Sequence, residues 1–160
     1  MNGFKKFYND HRERLFSYLM RLTGNYYLSG DILQESFTRY LENYGNKTSN
    51  VALLYKIARN VFLDIKRRKR LDVYGDGDHE DLSRDQEHNL MIRQEYKQVL
   101  SAIQRLDRDE RDILALTLSR DLKYKDIANM IGISEGALKV RVHRARRRLA
   151  SALDSEGRMA

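Results

Sequence analysis

The residues with the clearest chemical use lie between Tyr124 and Leu149, in the run YKDIANMIGISEGALKVRVHRARRRL. In a helical register, Lys139, Arg141, His143, Arg144, Arg146, Arg147 and Arg148 share one side. Leu138, Val142, Ala145 and Leu149 recur on the other at i, i+4, i+7 and i+11. A cationic face backed by an apolar one makes and breaks no bonds. It suits a polyanion, through phosphate contacts that carry no sequence information and through lysine or arginine donors that reach base edges. Charge alone fits a solvated surface equally well, so the preceding residues carry the distinction. Ile127, Ala128 and Ile131 form an apolar stripe, and small Ala128 allows two helices to approach closely. Gly132 can take the positive φ of a helix end. Ser134 is a good N-cap, and Glu135 beside it suits the positive end of the helix dipole. Together these predict a helix-turn-helix whose second helix enters a DNA major groove.

The elements that must position this unit follow from composition. The chain has 160 residues, 41% hydrophobic, no proline and no convincing strand-period alternation, which predicts an all-α protein. Its net charge of +7 is unevenly spread. Residues 1–70 and 91–160 are basic, whereas 71–90 carry seven acidic residues against one basic. The acidic stretch holds Gly75 and Gly77 and few apolar residues, and reads as a flexible linker. The expectation is two small helical domains, 1–70 and 91–155, joined by the linker 71–90 and followed by a frayed tail, 156–160. With no cysteine and four scattered histidines, no disulfide, thiolate site or metal-ligand spacing arises. No catalytic set, cofactor or metal is therefore expected. No apolar run suggests a membrane span or signal peptide, so a cytoplasmic protein is expected.

The first block divides into three helices, about Phe4 to Leu22, Ser29 to Tyr44, and Val51 to Arg70. On the second, Leu33, Phe37, Tyr40 and Tyr44 are read as the inner face. Asp31, Gln34, Glu35, Thr38 and Glu42 form a polar stripe opposite. The third sets Leu54, Ile57, Ala58, Val61 and Ile65 against Lys56, Asn60, Asp64 and Arg67. In the second block a helix from about Leu90 to Arg105 turns Tyr96, Val99, Leu100 and Ile103 inward. Asp107 with Glu110 makes a capping-box start for a helix burying Ile113, Leu114 and Leu118.

DILQESFTRYL, LLYKIARNVFLDIKRRKR and the series from Glu110 to Leu149 resemble, in this order, the extracytoplasmic-function (group IV) sigma factors of bacterial RNA polymerase. The resemblance covers nearly the whole chain outside the linker and tail. It implies a region 2 domain of three to four helices and a region 4 helix-turn-helix domain. The partners it implies are core RNA polymerase, through its clamp and flap, and promoter DNA, as duplex and as melted non-template strand. An anti-sigma factor is implied as well.

By the same resemblance Asp31, Gln34, Glu35 and Thr38 bind core polymerase. Asn46, Lys47, Thr48 and Ser49 cup a flipped base of the −10 element. Asn60, with donor and acceptor, reads a base edge between Lys56 and Asp64, while Arg59, Arg67 and Arg68 take phosphates. At the −35 element Lys139, Val140, His143 and Arg144 face the groove, and Arg141 and Arg147 flank it. The chain departs from the pattern at Leu53, where tryptophan is common, and at Lys123, where a capping serine is common. Two other readings fit part of the sequence: a dimeric duplex-binding regulator, and a polymerase-binding protein that never reads promoters.

Overall fold

The computed structural model describes residues 2–45, 49–71 and 94–159. These form seven helices and no strand. Three belong to the first half, α1 (Asn2–Thr23), α2 (Tyr26–Tyr44) and α3 (Val51–Leu71). Four belong to the second, α4 (Gln94–Gln104), α5 (Arg108–Thr117), α6 (Tyr124–Ile131) and α7 (Glu135–Met159). The linker from 72 onward lies outside the described residues.

Caps set most of the boundaries. Gly24 closes α1 at φ 67°, its N–H donating to the Met20 carbonyl at 2.8 Å. A Cβ there would also lie 2.7 Å from Cδ of Gln104, which belongs to the other half of the chain. Helix α2 starts a turn earlier than the apolar pattern suggests, because the Asn25 side chain accepts from the Leu28 N–H at 2.8 Å. Its buried face is Ser29, Ile32, Ser36, Phe37 and Tyr40, so the expected inner face is rotated. Leu33 is half-buried and Tyr44 exposed. The serines are tolerated inside because Ser36 donates to the Ile32 carbonyl at 2.6 Å and Ser29 pairs with Thr23 at 2.8 Å. In the core between α1, α2 and α3, Phe7 stacks on Tyr40 with ring centroids 4.8 Å apart. Leu15, Leu19, Leu54, Ala58, Val61 and Phe62 fill the rest.

In the second half the Asp107 side chain accepts from the Glu110 N–H at 2.9 Å, as the capping-box reading expects. Two inner positions need correction. Leu118 lies just past the end of α5 and turns outward, and Tyr96 is also exposed. Gly132 ends α6 at φ 82°, donating to the Ala128 carbonyl at 2.8 Å, and Ser134 Oγ accepts from the Ala137 N–H at 3.1 Å to start α7. Leu138, Val142 and Ala145 are buried; burying a leucine or valine side chain contributes about 1.5–3 kcal/mol. Helix α7 continues through Met159.

The two halves do not sit apart on a tether. Helix α1 packs against α4 and α5 as well as α2. One cluster of buried apolar residues runs from Phe7 and Tyr40 through Tyr18 and Tyr55 to Leu116, Ile127 and Val142.

Candidate nucleic-acid and polymerase interfaces

Helix α7 presents an exposed cationic surface. With Leu138, Val142 and Ala145 fixing its inner side, Lys139, Val140, Arg141, His143, Arg144, Arg146 and Arg147 are all exposed. Val140, at the start of this face, is an apolar residue left 51% exposed. Arg148 differs from its neighbours. It bonds Glu110 and lies 3.6 Å from Asp107, tying α7 to the first turn of α5. The bond from the Glu110 N–H holds the Asp107 carboxyl below the usual carboxylate range. Helix α6 lacks a side-chain cap, since Lys123 has no acceptor. Instead Asp126 accepts from the Lys123 N–H at 3.3 Å, supplying half of a capping box.

Helix α3 carries the second polar face. Lys56, Asn60, Arg67 and Arg68 are exposed and Asp64 is half-buried, with Arg67 3.9 Å from Asp64. Ser49 is exposed, whereas Asn46, Lys47 and Thr48 lie outside the described residues. The end of that loop is anchored from the core: the buried Tyr40 hydroxyl accepts from the Asn50 N–H at 3.0 Å. Asn50 in turn caps α3 by accepting from the Leu53 N–H at 3.1 Å. The Tyr40 contact was not legible in the sequence, whereas the Asn50 cap had a usable signal, an asparagine just before an apolar helical run. Leu53 and Lys56 line one wall of a cleft of about 220 Å³, and Asp126, Asn129 and Met130 line the other.

Arg59 does not join this face. Its guanidinium turns to the other half, with Nη2 2.8 Å from Asp112 Oδ2, Nε 3.2 Å from both carboxylate oxygens, and Nη1 3.5 Å from the Met130 carbonyl. Burial pushes its pKa down, and the hydrogen bonds and charge of Asp112 outweigh this to leave it raised. In this arrangement the Arg59 guanidinium, expected to take a phosphate, is engaged by Asp112. On α2 the polar stripe is exposed at Asp31, Gln34, Glu35, Thr38 and Glu42, and Arg39 pairs with Glu35 at 2.8 Å.

Sequence reasoning missed the junction altogether. Asp121, its side chain 5% exposed, accepts from Arg14 at 2.8 Å and from the Tyr55 hydroxyl at 3.1 Å, and faces His11 at 3.4 Å. Arg21 donates to the Ala115 carbonyl and to Ser119 Oγ, both at 2.9 Å, and Gln104 donates to the Arg21 carbonyl at 2.8 Å. Burial pushes the Tyr55 hydroxyl up and the Arg21 guanidinium down. Among the described residues no group of three or more histidines or carboxylates is set to hold a metal, and no helix is long and apolar enough to cross a membrane.

Comparison with known proteins meets this geometry from outside. Residues 7–71 match sigma-70 region 2, and residues 96–149 match sigma-70 region 4. The chain is 31% identical over 147 residues to the ECF RNA polymerase sigma factor EcfG of Rhodopseudomonas palustris, covering 89% of this chain and 81% of that one. It is 30% identical over 146 residues to the ECF RNA polymerase sigma factor SigM of Bacillus subtilis, covering 89% and 90%. Among solved structures, the sigma factor RpoE of Bartonella quintana, in complex with the anti-sigma factor NepR, superposes with a TM-score of 0.73 at 22% identity, covering 96% and 98%. CnrH, in complex with the cytosolic domain of CnrY, gives 0.64 at 22% identity, covering 95% and 88%. At that identity the likeness is one of fold. With helix α3 and the helix-turn-helix falling within the two matched regions, the chain belongs to the extracytoplasmic-function sigma factors, which direct RNA polymerase to promoters and start transcription there.

Proposed function

We propose that three surfaces divide the work of promoter-specific initiation. Asp31, Gln34, Glu35 and Thr38 on α2 dock on the polymerase clamp. Lys56, Asn60 and Asp64 on α3, with the loop residues Asn46, Lys47, Thr48 and Ser49, capture melted −10 bases, and Arg67 and Arg68 hold phosphates. Arg59 joins them once it is released from Asp112. Lys139, Val140, His143 and Arg144 read the −35 duplex, with Arg141 and Arg147 on its backbone. The module boundaries proposed are 1–70 and 91–155. Opening the duplex needs no bond-making step by this chain: captured bases offset the few kcal/mol of unstacking. The protein acts in the cytoplasm, where polymerase and DNA meet. An anti-sigma factor is proposed as a partner; the similar sigma factor RpoE is held by NepR.

The observation carrying this reading is the exposed Lys139–Arg144 face on a helix whose inner side and start are fixed by Leu138, Val142 and the Ser134 cap. Reversing the charge at Asp31 and Glu35 tests the division of labour. Core binding by fluorescence anisotropy should weaken, while the preferred promoter sequence stays the same. A variant that binds core normally but chooses different promoters would reassign the α2 face.

A further inference from the structure

Helix α7 has two seats of unequal depth. Its first half is locked by Leu138 and Val142, which join Ile127 and Ala128 in the large core. Its second half rests on a separate, smaller cluster, where Ala145 is buried with Leu106 and Leu114 and Leu149 is only partly covered. A methyl group and a half-covered leucine hold a helix weakly against rotation and tilt, because few atoms interdigitate there. Arg148 closes this second seat. Its guanidinium bonds Glu110 and lies 3.6 Å from Asp107, the first-turn and N-cap residues of α5.

The acceptor end of the tie is covered. The Glu110 side chain is 14% exposed, and its Oε2 is buried with no hydrogen-bond partner among the described residues. Burial, with Asp107 beside it, pushes the Glu110 carboxyl up. Without Arg148 that carboxylate would be left covered and unpaired next to a second one, a state relieved by proton uptake or by movement of α7 off α5. Position along the helix separates Arg148 from the reading residues. It lies nine residues beyond Lys139, about 13–14 Å at 1.5 Å per residue, whereas the major groove is about 12 Å wide.

Resting on the proposed function, we propose that Arg148 is a positioning residue for −35 recognition, not a phosphate contact. Tied to Asp107 and Glu110, it sets the tilt of α7 on α5. That tilt fixes the angle at which Lys139, Val140, His143 and Arg144 meet base edges. Such a constellation works only when held within about 0.5 Å and 10–20°. A loosened second seat therefore blurs the whole −35 element instead of one base pair.

The test is competition binding by holoenzyme assembled from core polymerase and the full chain. Its own mapped promoter competes in one tube against versions with single substitutions across the distal element, over a salt series. A ratio taken within one tube does not depend on how much of a variant is folded. In Arg148→Gln, discrimination should fall roughly three- to tenfold at several positions of the element. Glu110→Gln, which keeps the arginine, should do the same, and the double variant should be no worse than either, since both break one tie. The slope of log K against log salt should keep its wild-type value, whereas losing a phosphate contact lowers it by about 0.9. Circular dichroism checks the helices, and Glu110→Gln carries the test if Arg148→Gln does not fold. Discrimination retained in both single variants overturns the positioning role, as do additive losses or a slope reduced by one contact in Arg148→Gln. A wild type that does not distinguish substituted distal elements overturns the functional reading of α7 instead.

Discussion

The proposed reading assigns base recognition to two side chains that can be tested singly, Asn60 and Arg144. Asn60 is exposed one turn beyond Lys56 on α3, and Arg144 is exposed on the cationic face of α7. Asn60→Ala should reduce open-complex formation, followed by permanganate reactivity of melted thymines, with core affinity unchanged. Arg144→Ala should cost about 1–3 kcal/mol of discrimination at one −35 base pair, measured by competition binding of holoenzyme to single-substituted promoters. A uniform loss across all sequences would make Arg144 a phosphate contact. Their exposure was legible because polar residues at helical spacing stand out against an apolar stripe. The pairing of Arg59 with Asp112 was not legible for the same reason. From sequence an arginine on α3 looks the same whether it meets phosphate or Asp112, which lies 53 residues away in the chain.

At the scale of elements, the helices were legible wherever a cap or a glycine marks an end. Asp107, Gly132 and Ser134 act as expected, and Asn25 and Asn50 are caps the reading passed over. The α2 face was misjudged because serines bonded within their own region can be buried, which no hydropathy pattern reveals. Two glycines should respond in opposite directions. At Gly132 an added Cβ meets nothing within 4 Å, yet φ is 82°, so Gly132→Ala should destabilise by about 1–2 kcal/mol through the left-handed backbone alone. At Gly30, inside α2 with open space around it, alanine should stabilise by about 0.4–1 kcal/mol. Thermal unfolding followed by circular dichroism separates the two. Asp107→Ala should lower stability by about 1 kcal/mol through loss of the α5 cap. It also removes one of the two carboxylates near Arg148.

The whole molecule holds what the sequence could not reveal. Charge blocks suggested two basic modules on an acidic connector, and the chain does match regions 2 and 4. Nothing in the local pattern reported that α1 packs on α4 and α5, because the junction pairs residues some 50 to 110 positions apart. Such pairs leave no periodicity, and a buried Asp121 looks in sequence like any loop aspartate. The practical consequence is a salt dependence with two opposing parts. Raising ionic strength should loosen the Arg14–Asp121 contact, whose arginine is exposed, more than the Arg59–Asp112 fork, both of whose side chains are largely covered. It should also weaken DNA binding through counterion competition. Fluorescence transfer between labels on either side of the junction, titrated with salt in the absence of DNA, isolates the first part. It should fall only modestly, because Arg59–Asp112 and the apolar contacts remain.

The most direct measurement is run-off transcription with purified core polymerase, this protein and a genomic fragment library, with transcript starts mapped for wild type, Asn60→Ala and Arg144→Ala. Wild type should yield dependent transcripts that share two spaced upstream elements. Arg144→Ala should relax the distal element alone, and Asn60→Ala should lower yield without shifting start sites. No dependent transcripts, with specific duplex binding persisting in the absence of polymerase, would contradict the assignment and point to a conventional duplex-binding regulator.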